Sequence, residues 1–282
     1  MVETLNKQVQ PAEDFLENMS FQRLKKKLQE TVGVNFSGYR DEYLKRRMSI
    51  RLRATNTNTF GRYLQYLNKN PDEYNILLNE ITVNYTTFMR DSDVYRYLEL
   101  FILPKLFQTC PVKIWSAGCA TGEEPYSLAI LTHKILGSKL ATHPVIIYAS
   151  DIDKDALSKA AKGEYQEKQL QGIGRLLIDN YFTKENDFYR VKDHIKKLVR
   201  FEEFDLMKPA AHPGLDLILC RNVMIYFSRE GQQQVHMHFY NALRDGGYFV
   251  SGKAEILSGE PAVKFTPIDV KTRVYQKRLS NM

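Results

Sequence analysis

The sequence predicts an α/β protein: a Rossmann-like sheet with a small antiparallel β insertion, preceded by a small all-α domain. Three observations carry this expectation. Residues 12 to about 80 show helical apolar spacing and no strand pattern. Next, Val112 to Ser116, a loop holding Gly118 and Gly122, and an apolar-periodic stretch (Leu128, Ile130, Leu131, Ile135) give strand, glycine turn and helix in that order. That order makes the nucleotide-binding corner of such a sheet. From there strand and helix patterns alternate, as in a parallel, doubly wound sheet. The expected organisation is a helical domain over residues 1–80, a connecting segment over 81–93, and an α/β domain over 94–282 with its insertion at about 166–204.

The helical part begins with Phe15–Thr31, where Phe21, Leu24 and Leu28 fall at helical spacing. After Gly38 a helix spans Asp41–Ala54. Another starts near Thr59, a good N-cap, and ends by Asn68 to Asn70. Pro71 then opens a helix whose apolar face is Ile76, Leu77 and Ile81. In the Asp41–Ala54 helix, Leu44, Met48 and Leu52 form a stripe for the domain core. Around it stand Lys45, Arg46, Arg47, Arg51 and Arg53, with no acid between Tyr43 and Ala54. Five like charges on one helix repel, so a docking surface for an acidic partner is expected, with ordinary solvation as the alternative.

Ile81 to Asp91 mixes β-branched and polar residues and fits neither period. A helix follows over Val94–Phe107, ended by Cys110-Pro111. Strands are expected at Val112–Ser116, Val145–Ser150, Leu215–Cys220 and Tyr248–Gly252, and helices at Glu123–Ile135, Lys154–Ala161 and Glu230–Leu243. Val145 to Ser150 is nearly all apolar, as a strand covered on both faces should be. Phe182–Val191 and Ile195–Phe204 read as the antiparallel excursion, and Val270–Lys277 as a final antiparallel strand.

The composition, 43% hydrophobic and 26% charged, is that of an ordinary globular protein. No apolar run approaches the roughly 20 residues that span a bilayer, and the first residues lack the apolar core of a secretory signal. A cytoplasmic protein without membrane insertion is expected. Cys110, Cys119 and Cys220 are an odd, scattered set without C-x-x-C, so they read as reduced thiols. The six histidines give no ligand spacing, and no metal is expected. The charge, 40 − 33 = +7, suits an acidic partner and is too modest for a nucleic-acid signature unless it clusters.

The glycine loop narrows the chemistry. Gly118 and Gly122 are not G-x-G-x-x-G, and no Gly-Lys-Ser/Thr follows. Neither a dinucleotide fingerprint nor a P-loop is present. The helix opens with Glu123-Glu124, which suits the helix dipole but would repel a pyrophosphate. The expected cofactor is a nucleoside without phosphates and with a cationic centre, for which S-adenosylmethionine is the candidate. A carboxylate ending the second strand can accept both ribose hydroxyls, and Asp151 stands there, with Asp153 as N-cap of the next helix. After the fourth strand, Cys220 to Phe227 sets Arg221, Asn222 and Tyr226 among apolar neighbours at the ligand-binding edge.

Four segments in order, Thr82-Val-Asn-Tyr-Thr-Thr-Phe-Met-Arg90, Ser116-Ala-Gly-Cys-Ala-Thr-Gly-Glu-Glu-Pro-Tyr-Ser127, Ala149-Ser-Asp-Ile-Asp153 and Cys220-Arg-Asn-Val-Met-Ile-Tyr-Phe227, resemble the CheR-type chemoreceptor glutamate O-methyltransferases of bacteria. The resemblance covers nearly the whole chain. It implies a class I methyltransferase sheet using S-adenosylmethionine and releasing S-adenosylhomocysteine. On matching positions it implies that Asn84, Thr86 and Arg90 contact the cofactor, with Gly118 in the loop beneath it. Glu124 and Asp151 would hold its amino-acid and ribose portions, Asp205 and Leu206 would lie near the adenine, and Arg221 and Asn222 would complete the site. Arg90 and Tyr226 are implied to orient the reacting groups. The partner implied is the receptor's cytoplasmic helical bundle, docked through the basic helix.

Three departures stand out. Met89 replaces a second aromatic, Gly252-Lys-Ala-Glu255 replaces the commoner Gly-His-Ser-Glu, and Thr183 to Phe188 lacks the glycines of members that bind a C-terminal receptor pentapeptide. No pentapeptide tether is therefore expected. A nucleic-acid methyltransferase is the second reading, weakened by the lack of Asn/Asp-Pro-Pro-Tyr after the fourth strand and of a catalytic cysteine. A non-catalytic cofactor-binding scaffold is the third.

Overall fold

The computed structural model describes residues 2–278, and of residues 2–13 only the backbone. Two compact units divide the chain at Val83/Asn84.

The first unit is helical. Helix α1 spans Val2–Val32, α2 Asp41–Ala54, α3 Phe60–Lys69 and α4 Glu73–Ile81. Phe21, Leu24 and Leu28 from α1 meet Leu44, Met48 and Leu52 of α2, Tyr63 and Leu67 of α3, and Leu77 of α4 in the buried set. Thr59 caps α3 by accepting the Arg62 N–H. Pro71 does not open α4; it lies in the preceding turn, where its carbonyl accepts the Tyr74 N–H.

The basic helix carries a correction. Arg51 forks onto Glu73 of α4 (2.9 and 3.0 Å), a buried carboxylate that also accepts the Tyr63 hydroxyl at 2.8 Å. Arg47 pairs with Glu80 at 2.7 Å. The repulsion expected within α2 is thus relieved by acids of the neighbouring helix, which engage Arg47 and Arg51. Lys45 donates to Asn18. Arg46 and Arg53 remain exposed and, seven apart, share one flank.

The second unit begins at Asn84. Ser92–Leu106 is one helical stretch (α5, Ser92–Tyr97; α6, Leu103–Leu106) interrupted by a wide π turn over Leu98–Ile102, in which the Leu103 N–H reaches the Leu98 carbonyl. Pro104, which has no N–H to continue the ladder, follows immediately. Then come β1 (Val112–Ala117), α7 (Glu123–Leu136), β2 (Val145–Asp151), α8 (Lys154–Lys162), β3 (Glu164–Gln166), α9 (Arg175–Tyr181), β4 (Phe182–Glu185), β5 (Phe188–Val191), α10 (Asp193–Lys196), β6 (Val199–Glu203), β7 (Leu215–Cys220), α11 (Arg229–Ala242), β8 (Leu243–Ser251), α12 (Glu260–Lys264), β9 (Phe265–Asp269) and β10 (Val274–Lys277).

The main sheet runs β6-β2-β1-β7-β8-β10-β9, and β3-β5-β4 form a separate antiparallel sheet. Strands β6, β2, β1, β7 and β8 are mutually parallel; β10 and β9 close the far edge antiparallel. This is the expected Rossmann-like sheet with a small insertion, and it corrects the expectation in four places. Residues 199–203 are not part of the excursion but the parallel edge strand of the main sheet, beside β2. The excursion instead recruits Glu164–Gln166. Strand β8 starts at Leu243 rather than Tyr248, its pairing with β7 broken by a register shift between Leu215 and Leu217, opposite a stretch that holds Gly246-Gly247. Those glycines end the alternation that a sequence pattern reads. Strand β9 was not expected.

Candidate active site

Strand order fixes where a ligand can sit. The chain lays β1, β2 and β6 outward in one direction, then returns to place β7 on the other side of β1. The crevice beyond the carboxyl ends of β1 and β7 is the switch point of an open α/β sheet. Four segments end there: the Gly118 loop after β1, Asp151 at the end of β2, Arg221-Asn222 after β7 and Gly252 after β8. Asp205 follows β6, whose end is tied to β2 by Phe204 N–H to the Asp151 carbonyl (2.9 Å).

The loop after β1 is built on backbone geometry. Gly118 has φ +77°, and a Cβ there would stand 2.5 Å from Val223. Its tightness is thus set by the β7 loop. Gly122, at φ +95°, packs against Ala160 and the Tyr165 hydroxyl. Asp151 ties the loop to β2, with Oδ2 accepting the Ala120 N–H (2.8 Å) and Oδ1 the Asp153 N–H (3.0 Å). Burial raises its pKa, and those amides pull it back. Asp153 caps α8 through the Ala156 N–H (3.0 Å), and its other oxygen accepts from Asn84 Nδ2 (2.6 Å).

The two acids opening α7 part company. Glu123 is buried and spent on neighbours, accepting from Thr121 (2.7 Å) and Gln169 (2.9 Å). Glu124 accepts from Ser116 (2.8 Å) and faces Arg221 at 3.8 Å. Burial pushes the Glu124 carboxyl up, chiefly opposed by Arg221, with Arg90 also acting on it. Arg221 is buried, lies over the Tyr95 ring and pairs with Asp91. Asp91 in turn faces Lys253, which is held by Asp93 at 2.7 Å. A chain of alternating charges thus runs Glu124–Arg221–Asp91–Lys253–Asp93.

The segment 84–91 belongs to this site. Phe88 is wholly buried edge-on against Tyr165 and Phe182, and the Met89 N–H donates to Ser127 (3.0 Å). Arg90 donates to the Tyr85 carbonyl (3.2 Å) and leans over the Tyr85 ring. Met89 (φ +50°) and Asp91 (φ +58°), either side of Arg90, are both left-handed, as are Ala120 (φ +46°) and Asn222 (φ +62°). Each costs a non-glycine residue about 1 kcal/mol or more. Such strain gathers where function over-determines the backbone.

Other named positions sit as follows. Thr86, Asn222 and Tyr226 are half-buried, Tyr226 in a short 3-10 turn over Met224–Tyr226. Asp205 accepts the Met207 N–H of its own turn (2.9 Å), and Leu206 is buried. The Cys119 and Cys220 thiols are pushed well up, first by burial and then by nearby carboxylates, Glu124 and Asp151 among them. Both thiols are buried, as inert packing cysteines are. Sequence reasoning missed Asp91, Asp153 as partner of Asn84, and Glu255. Asp153 and Glu255 lie inside segments quoted above, and Asp91 directly follows Arg90.

The donors fit S-adenosylmethionine. Carboxylates at Glu124 and Asp151 match ammonium and hydroxyl donors. Asn222 Oδ1 and Arg221 Nε are buried without a hydrogen-bond partner, the state expected of groups a ligand completes. Among the described residues no group of three or more His, Cys, Asp or Glu is placed to hold a metal ion, and no helix is long and apolar enough to cross a membrane.

Comparison with known proteins agrees. Residues 84–274 match the family "CheR methyltransferase, SAM binding domain", and residues 19–82 match "CheR methyltransferase, all-alpha domain". A chemotaxis protein methyltransferase of Listeria innocua is 33% identical over 230 residues, covering 80% of this chain and 86% of its own. That of Borreliella burgdorferi is 30% identical over 254 residues (86% and 90%), and that of Escherichia coli 30% over 251 residues (86% of each).

Proposed function

Since the chain belongs to the CheR methyltransferase family, we propose that it methylates glutamate side chains of bacterial chemoreceptors, forming methyl esters in adaptation. It is an S-adenosylmethionine-dependent methyltransferase of chemotaxis; the glutamate acceptor is what the family resemblance adds. The observation that carries the reading is the meeting of Glu124, Arg221 and the strained 89–91 corner at the β1/β7 switch point.

When bound, S-adenosylmethionine supplies an electrophilic methyl on a sulfonium. Glu124, Arg221 and Arg90 suit its amino-acid portion, and Asp151, with lone pairs beyond those used by Ala120 and Asp153, suits the ribose hydroxyls. Asn84, Thr86, Gly118, Asp205, Leu206 and Asn222 complete the proposed cradle. An acceptor glutamate, with pKa about 4.3, is already an anion at neutral pH. No general base is needed, which accounts for a site without catalytic His or Cys. The protein's task is alignment and exclusion of water. Arg90, permanently charged, orients a carboxylate, and Tyr226 donates a hydrogen bond to the acceptor oxygen. The enzyme works in the cytoplasm on the receptor's helical bundle, docking through Lys45, Arg46 and Arg53, and does not need a pentapeptide tether.

The test is transfer of label from S-adenosylmethionine to three acceptors: receptor-containing membranes, nucleic acid, or none. Label in a membrane protein supports the proposal. Label in nucleic acid, or cofactor binding without transfer, would overturn it in favour of the second or third reading.

A further inference from the structure

The turn after β8 carries Lys253 where the commoner pattern has histidine. Its Nζ stands 2.7 and 2.9 Å from the two carboxylate oxygens of Asp93, 160 residues away in the chain. The same ammonium faces Asp91 Oδ1 at 4.0 Å, while Arg221, from the end of β7, takes Asp91 Oδ2. Each oxygen of Asp91 is therefore met by a cation from a neighbouring strand end. Lys253 is anchored in turn, because Arg273, between β9 and β10, donates to its carbonyl at 3.2 Å.

The segment gripped in this way is the strained one. Met89 and Asp91 are left-handed on either side of Arg90, and a non-glycine residue keeps that conformation only when its surroundings enforce it. For Met89 the enforcement is burial and the bond from its N–H to Ser127. Asp91 is half-buried and is held through its carboxylate. Asp91 and Asp93 are like charges, and the start of α5 suits them through the helix dipole. That dipole does not account for a lysine that crosses from β8 to fork onto Asp93. A half-exposed ion pair is worth little by itself. This one matters for what it holds, the corner that carries Arg90.

Resting on the function proposed above, we propose that Lys253 is a positioning residue for Arg90. With Arg221 it clamps residues 91–93 to the ends of β8 and β7, and so fixes where Arg90 presents its charge. It touches neither cofactor nor acceptor. Its effect passes through Asp93 and Asp91.

Lys253→Met keeps the apolar stem and removes the charge. With receptor-bearing membranes as acceptor, kcat should fall about fivefold, the upper end for a half-exposed pair. Titration calorimetry with S-adenosylhomocysteine should still find one site per chain, with Kd changed less than about twofold, because Glu124 and Asp151 are untouched. Lys253→Arg keeps the charge and should recover most of kcat. Asp93→Asn should lower kcat to a similar degree, and adding Lys253→Met to it should lower kcat no further, since the two act as one pair. Salt screens such a pair, so the gap between the unaltered protein and Lys253→Met should narrow as ionic strength rises. An unchanged kcat in Lys253→Met would overturn the proposal. So would losses in the two single variants that multiply in the double, or a fall in kcat matched by an equal fall in binding-competent protein. An unaltered protein that binds S-adenosylhomocysteine but transfers nothing to the membranes would overturn the functional reading and this proposal with it.

Discussion

Arg221 and Asp91, 130 residues apart in the chain, close an ion pair with Nη2 2.5 Å from Oδ2, and the same guanidinium faces Glu124 at 3.8 Å. One buried cation thereby fastens the cofactor-side segment 84–91 to the carboxyl ends of β1 and β7. Removing it leaves two carboxylates facing each other. Arg221→Ala should cost about 3 kcal/mol of stability, the scale for breaking a buried pair. Arg221→Lys keeps the charge but cannot fork between two acids, so it should fall between. Urea unfolding checks both, and an unchanged midpoint for Arg221→Ala would show that the network contributes nothing.

The helical unit separates its basic residues by role. Arg51 serves Glu73, which is 5% exposed, so Arg51→Ala should destabilise the unit by about 3 kcal/mol whatever it does to docking. Arg46→Glu with Arg53→Glu, on the exposed flank, should leave the melting temperature and S-adenosylhomocysteine affinity unchanged. Receptor methylation should drop several-fold, and the deficit against the unaltered protein should narrow as salt is raised. Equal methylation by this double variant at physiological salt would remove the docking role.

Binding should depend on pH with a definite sign. Burial raises the carboxyls of Glu124 and Asp151 above their ordinary values. In the free protein such groups take up a proton as pH falls through the raised values, and it is the ionised form that suits ammonium and hydroxyl donors. Affinity for S-adenosylhomocysteine should therefore weaken as pH falls through those raised values. Stability has the opposite slope: these two groups favour the folded state once protonated, and their contribution declines as pH rises through the raised values. Calorimetry from pH 8 to 5 tests the first statement, with Glu124→Gln expected to flatten the profile.

The insertion carries a negative expectation. The β4–β5 turn, Asn186-Asp187, contains no glycine, and Asn186 supplies the left-handed residue (φ +48°). A receptor C-terminal pentapeptide should bind no better than about 1 mM, the range of non-specific contact. Micromolar binding by the isolated peptide would contradict the absence of a tether.

The parts of this protein legible from its sequence were local. The strand–loop–helix at Gly118, the apolar run of β2 and the cap at Thr59 each depend on neighbours in sequence, and so did the strand ends where the candidate residues lie. What stayed hidden was tertiary. Nothing local says that Arg51 and Arg47 meet Glu73 and Glu80, that 199–203 pairs with β2 rather than with the excursion, or that Lys253 reaches Asp93. A sequence period reports which face of an element is buried, and not which acid waits on the element it packs against.

The central claim is the reaction, and its product has a chemical signature. After incubation with methyl-labelled S-adenosylmethionine and receptor-bearing membranes, mild alkali should release the label from the receptor band as volatile methanol, as glutamate methyl esters do. Label that stays on the protein through alkali, or no label in the receptor at all, would contradict the account.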